Sequence, residues 1–206
     1  GTTGTLTSRS DFDMQKGTAS AILGGNVGLT KTTANTVTLS GVNTYTGATT
    51  VNAGTLNLDE SLTASALGFS GAGTVRLATG KNVSGAITTT ADNQGTLNFA
   101  GTHTTGGNIG AAGTALAAVN IQNGTLTMDH NISATTVTVD SDAAAGTGTL
   151  TLSGNRTVTG DLTLANSGVL NLGTNTLTLG GTGIYTQAAG QTMNLSITNS
   201  STFGKI

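Results

Sequence analysis

Runs of alternating apolar and polar residues recur from one end of the chain to the other. Each is introduced by a turn residue, with Thr or a close substitute next to it. The phrase appears as Thr36-Val37-Thr38-Leu39, Gly54-Thr55-Leu56-Asn57-Leu58, Gly73-Thr74-Val75-Arg76-Leu77 and Gly95-Thr96-Leu97-Asn98-Phe99. It returns as Gly124-Thr125-Leu126-Thr127-Met128, Gly148-Thr149-Leu150-Thr151-Leu152, Gly168-Val169-Leu170-Asn171-Leu172 and Thr176-Leu177-Thr178-Leu179. Strict period-2 alternation is the pattern of a β-strand with one buried face. It predicts Leu56 and Leu58 pointing inward, with Thr55 and Asn57 outward.

The first apolar residues of the copies from Val37 to Leu170 are separated by 19, 19, 22, 29, 24 and 20 residues. Between them lie further strand candidates at Thr50-Val51, Ala86-Ile87, Val119-Asn120-Ile121, Val137-Thr138-Val139 and Leu162-Thr163-Leu164. Two or three short strands per unit of roughly 22 residues make the rung of a β-helix. About nine such rungs, at roughly 4.8 Å each, would form a rod on the order of 40–45 Å long. A sandwich or up-and-down barrel would need hairpins. The strongest hairpin dipeptide, Asn-Gly between alternating runs, occurs once, at Asn123-Gly124. A near-identical phrase repeating in one direction favours like strands stacked in parallel. The chain is therefore expected to be all-β, a single solenoid over residues 1–206. Arg9–Lys16, the stretch densest in charge, is expected as a surface loop or an irregular first rung.

Composition sharpens this picture. The chain of 206 residues holds 32 Gly and 45 Thr, with no Pro, Cys or Trp. Only 8% of residues are charged and 3% aromatic. Disordered chains are usually rich in Pro, Glu and Lys and poor in β-branched residues, whereas Thr, Val and Ile abound here and suit a pleated, half-buried surface. Four Phe and two Tyr cannot fill one central core. Leu, Val, Ile and Ala in small, evenly spread portions suit a thin core built rung by rung. Stacked Thr and Asn could hydrogen-bond in ladders along the rod, and Gly serves the turns that demand φ > 0.

A net charge of −2 with seven Lys and Arg leaves no basic footprint for nucleic acid or anionic lipid. No run of 18 apolar residues offers a membrane-spanning helix, and no charged or apolar leader follows Gly1-Thr2-Thr3-Gly4. The chain reads as a mature protein or an excised piece of a longer one. Without Cys there is no disulfide framework and no thiolate metal site.

Candidate chemistry is sparse. Asp11-Phe12-Asp13 and Asp140-Ser141-Asp142 are carboxylate pairs of the kind that hold Ca²⁺ or Mg²⁺, but neither carries the remainder of a calcium loop. Asp140 and Asp142 close a strand and open a turn, where Asp commonly bonds nearby backbone. His103 and His130 are the only His residues and are read as surface or turn positions; a Ser-His-Asp set with Asp129 is the alternative. Gly24-Gly25-Asn26-Val27-Gly28 and Gly106-Gly107-Asn108-Ile109-Gly110 lack the Lys and helix of a phosphate loop and read as repeat architecture. Asn82, Asn131 and Asn194 open glycosylation-type triplets of the sort so Asn- and Thr-rich a chain produces by chance. No catalytic, metal or cofactor residue is assigned.

The stretch Val37-Thr38-Leu39-Ser40-Gly41-Val42-Asn43-Thr44-Tyr45-Thr46-Gly47-Ala48-Thr49-Thr50-Val51-Asn52-Ala53-Gly54-Thr55-Leu56 resembles the autotransporter-associated β-strand repeat, nearly position for position. Thr105-Gly106-Gly107-Asn108-Ile109-Gly110, with the following Ala/Leu/Val run and Gly124-Thr125-Leu126, is similar to passenger domains of rickettsial surface cell antigens. The resemblance implies a right-handed parallel β-helix, exported by a C-terminal outer-membrane barrel that this chain does not contain. It also implies an extracellular place on the bacterial surface. The repeat motif is structural, so it carries over no receptor-binding residues.

Three functional classes follow. The leading expectation is a structural or adhesive passenger segment, not an enzyme, that meets host or cell-surface molecules. The second is a filament or surface-layer subunit that stacks on itself end to end, because neither Gly1–Ser8 nor Ser200–Ile206 reads as a polar cap. The third is a glycan-active β-helix enzyme, which would gather Asp129, Asp140, Asp142 or Asp161 in one groove.

Overall fold

The computed structural model describes residues 4–143 and 146–195. Every described element is a β-strand, and every strand pairing is parallel. The strands stack as a solenoid of about 9 turns with three sides. Asn123-Gly124, the one hairpin dipeptide, is a corner between two stacked columns and joins no antiparallel pair.

Face one runs the length of the described rod. Its strands are Gly17–Ala19, Thr36–Leu39, Thr55–Leu58, Thr74–Leu77, Gln94–Phe99 and Leu116–Ile121. The later halves of Ile132–Val139 and Arg156–Leu164 follow, and Tyr185–Gln187 ends the column. Two inward columns result, because a period-2 strand sends alternate side chains to the same side. One is Val37, Leu56, Val75, Leu97, Val119, Val137 and Leu162; its neighbour contains Leu39, Leu58, Leu77, Phe99, Ile121, Val139 and Leu164. All are buried, each contributing roughly 1.5–3 kcal/mol relative to exposure. Thr55 and Asn57 face outward, as their alternation requires.

Face two begins with Phe12–Asp13, Leu29–Lys31, Thr49–Val51, Leu67–Phe69 and Ile87–Thr89. The charged Arg9–Lys16 stretch thus supplies an irregular first rung, with Phe12 in the core. Single bridges at Ile109 and Ile132 carry the column upward, and Val158 and Leu179 follow. Here Ile132–Val139 and Arg156–Leu164 cross from face two to face one without a break. Ile132–Val139 shifts register at Ser133/Thr136 to do so. Arg156–Leu164 uses Gly160, whose φ of +115° and close approach to the Ala134 carbonyl leave no room for a Cβ.

Face three opens with Thr5–Thr7 on Ile22–Gly24 and ends with His103–Thr104, Gly124–Met128, Gly148–Leu152, Val169–Gly173 and Thr192–Leu195. Between those sections the side is kept by irregular chain around Tyr45, Leu62 and Val83, with Leu62 and Val83 bridged in parallel.

The recurring phrase therefore changes sides. Its first four copies stack on face one. The copies at Gly124, Gly148 and Gly168 stack on face three, while Val119, Val137 and Leu162 continue face one. The interval of 29 residues from Leu97 to Leu126 is where the shift occurs. Each column keeps its own spacing: Leu97 pairs with Val119, and His103 with Leu126.

Candidate functional site

The acidic residues weighed for a glycan-cleaving groove lie at three different corners. Asp129 follows the face-three strand Gly124–Met128 and precedes the face-two start of Ile132–Val139. Asp140 and Asp142 lie between face one and face three, and Asp161 where Arg156–Leu164 passes from face two to face one. Among the described residues no three His, Asp or Glu side chains gather where they could hold a metal ion.

Most of these acids have a local structural partner; Asp142 is the exception, its Oδ1 buried without one among the described residues. Asp11 accepts the Gly28 N–H at 2.7 Å, and Asp161 accepts the Ile184 N–H at 2.9 Å. Asp13 accepts from the Gln15 amide. Asp140, only 1% exposed, accepts the Gly148 N–H at 3.0 Å on one oxygen; on the other it accepts the Ser167 N–H at 2.7 Å and hydroxyl at 2.9 Å. A buried carboxylate needs such donors to offset its desolvation. Asp129 accepts the Ser153 hydroxyl at 2.6 Å and pairs with Arg156 at 3.2 Å. The Ser153 hydroxyl first, and then Arg156, hold its carboxyl below the usual carboxylate range.

The two His residues form no relay. His103 is 2% exposed, which corrects its reading as a surface position. It stands in the inward column of face three beneath Leu126, its ring 5.2 Å from Phe99. Its two ring nitrogens face the carbonyls of Lys81 (2.8 Å) and Ala100 (3.0 Å). His130 faces the Thr105 carbonyl at 3.1 Å, while the buried Thr105 hydroxyl accepts the backbone N–H groups of both Asp129 and His130. Sequence reasoning also passed over Lys31, an inward residue of face two with no exposure. Its ammonium donates to the carbonyls of Thr33 and Ala53, and burial lowers its pKa.

The tyrosine-containing phrase has the most ordered polar interior. Asn43 accepts the Leu23 N–H from the rung below at 2.9 Å. The Tyr45 hydroxyl, in a ring 1% exposed, bonds Thr49 Oγ1 at 2.6 Å; that oxygen bonds Ser65 Oγ at 2.9 Å, which donates to the Gly47 carbonyl at 2.6 Å. Burial pushes the Tyr45 phenol above its ordinary range, against the lowering effect of these hydroxyl contacts. Asn43 and Thr49 tie one rung to the next, and Tyr45 joins that network through Thr49.

Two stretches of the chain, residues 29–58 and 144–172, match the family model described as passenger-associated-transport-repeat. They support an autotransporter passenger repeat domain. No curated protein and no solved structure matches the chain.

The two passenger repeats sit differently on the rod. The first contains face-two and face-one strands and closes on Thr55–Leu58 of face one. The second contains Gly148–Leu152 and closes on Val169–Gly173, both on face three. In the first, the corner Val51-Asn52-Ala53-Gly54 turns from face two to face one; in the second, Leu164-Ala165-Asn166-Ser167-Gly168 turns from face one to face three. A buried charged residue from the rung below braces each corner, Lys31 beneath Ala53 and Asp140 beneath Ser167. The passenger repeat is thus a strand–corner–strand module that closes on face one in one copy and on face three in the other. The Gly24–Gly28 and Gly106–Gly110 phrases share the corner from face three to face two, and so belong to the same architecture.

Proposed function

We propose that this passenger repeat domain is a structural and adhesive segment of a secreted bacterial surface protein, held outside the cell. The observation that carries the reading is the lateral surface of face one. Its outward positions are mostly Thr and Asn, with Asn120 donating to Asn98 at 2.9 Å and Asn57 to Thr38 at 3.3 Å. Such a surface stiffens the rod and stays soluble with few charges. Chemistry spread over three corners fits a shaft better than a cleaving enzyme. The purified chain, coupled to fluorescent beads, is expected to adhere to epithelial or bacterial cells above uncoated beads. Adhesion equal to the uncoated control would remove the adhesive half of the proposal. The parent gene is expected to continue into an outer-membrane barrel.

A filament or surface-layer subunit is the second reading. It is favoured by Leu6, which stands beneath Leu23 in an inward column yet is 55% exposed. Sedimentation at rising concentration is expected to show growing rods; a strict monomer would discard this reading.

A further inference from the structure

A broad concavity on the lateral surface lies on face two, in the later half of the described rod. Two adjoining depressions, of about 320 and 400 Å³, share Ala112, Ser133 and Thr159 as common lining. The volumes fall in the range of small-ligand sites. The Gly110–Ala115 turn, closed by an Ala111–Thr114 bridge, stands at one end of the concavity, and the floor beyond it is Ala, Gly and Thr.

The concavity brings together hydrogen-bonding capacity held in fixed positions. Asn108 accepts the Asn131 N–H at 3.1 Å, and Asn131 accepts the Thr157 N–H at 2.9 Å. Each bond fixes the side chain through its Oδ1 and leaves the Nδ2 group without a partner among the described residues. Two amide donors therefore stand one rung apart, roughly 4.8 Å, with their rotamers already set. On face one Asn120 spends its Nδ2 on the Asn98 Oδ1 of the rung below. Ser133 donates to the Ala111 carbonyl at 3.0 Å and keeps its lone pairs as acceptors. Asp92 uses one oxygen on the Ala115 N–H at 2.7 Å and is the only ionisable group in the lining.

We infer that this trough binds an extended neutral oligosaccharide. Preset donors and acceptors lower the ordering cost of binding a polyhydroxylated chain. The small side chains of the floor let a sugar ring approach the sheet closely. An acidic glycan or a phosphate would find no cation in the lining. A peptide strand would find the backbone ladder already paired above and below, and no apolar pocket for its side chains. The assignment deepens the adhesive reading and rests on it.

Titration calorimetry of the whole chain with cellohexaose, maltohexaose and hexa-N-acetylchitohexaose, and with hexagalacturonate as the acidic control, tests the inference. Asn131→Asp keeps the oxygen that accepts from Thr157 but replaces the free donor with an acceptor. Ala112→Arg, at an exposed position, fills the space shared by both depressions. The wild-type chain is expected to bind at least one neutral hexasaccharide and not the acidic one. Each variant is expected to bind about tenfold more weakly or worse, a loss of ~1.4 kcal/mol, with unchanged circular dichroism and melting. A wild-type chain that binds none of the neutral probes overturns the inference, as does equal binding by the folded variants. Bead adhesion measured on the same variants separates the two proposals: adhesion that persists without glycan binding leaves the adhesive segment standing and removes the trough.

Discussion

The α-carbon of Gly95 lies over the ring of Phe69, so close that a Cβ at residue 95 would stand 2.2 Å from Cγ of the ring. Gly73 and Val51 repeat the relation one rung earlier, at 2.5 Å. At these two copies the Gly of the recurring phrase makes room, at the corner, for the last inward side chain of face two below. Gly95 also has a φ of +76°. Gly95→Ala is expected to destabilise the rod by about 3 kcal/mol or more, through overpacking and backbone strain together. Gly80 has a similar φ of +74° but open space around it. Gly80→Ala should cost only about 1–2 kcal/mol. Urea unfolding of both variants makes the comparison.

Asp140 should be the most costly acid to remove. Its truncation strands the Gly148 and Ser167 N–H groups that it now accepts. Asp140→Ala is expected to lose about 3 kcal/mol or more, since hydrogen bonds to charged groups contribute roughly 1.5–3 kcal/mol each. Asp140→Asn should lose less, because Asn tolerates the φ of 62° at this position and keeps one acceptor oxygen. Thermal melting that ranks Asn below Ala would contradict this account of the corner.

Tyr45 links stability to alkaline pH. Its phenol is raised by burial, so below the ordinary tyrosine pKa of about 10 both folded and unfolded chains hold the proton. Above that value the unfolded chain releases it first, and stability falls as pH rises toward the higher folded-state value. Tyr45→Phe should remove this part of the alkaline slope. At neutral pH it should cost about 1 kcal/mol for the hydroxyl chain through Thr49 and Ser65. Denaturation curves at pH 8 and above give both numbers.

A short Gly/Ser segment inserted between Ala112 and Gly113 should leave the melting temperature nearly unchanged. Both residues are exposed in a turn beyond the stacked strands. The same segment placed between Val119 and Asn120 would interrupt an inward column and should unfold the rod. Circular dichroism distinguishes the two.

Much of this architecture is legible in the residues. Alternation at Thr55-Leu56-Asn57-Leu58 sets which side chains enter the core, and the structure keeps that assignment. The change of sides after Leu97 is not legible from the phrase itself. Faces one and three ask the same of a strand, apolar inside and Thr or Asn outside, so Gly95–Phe99 and Gly124–Met128 are spelled alike. Only the partners, Val119 for Leu97 and His103 for Leu126, distinguish them. His103 was hidden for a related reason. Its burial depends on the carbonyls of Lys81 and Ala100, which no local pattern announces. The trough is hidden too, because Asn108 and Asn131 are written like every other Asn, and only their bonds to the next rung leave the amides free.

Because side chains such as Asn43, Asp11 and Asn131 fasten one rung to the next, the rod has a direction-dependent response to force. A sideways load on a middle rung is shared by the parallel ladders above and below it. A pull on a terminal strand meets the bonds of one rung alone, and releases about 20 residues before the next rung resists. Such a shaft would yield under tension in regular steps, lengthening without losing its remaining grip.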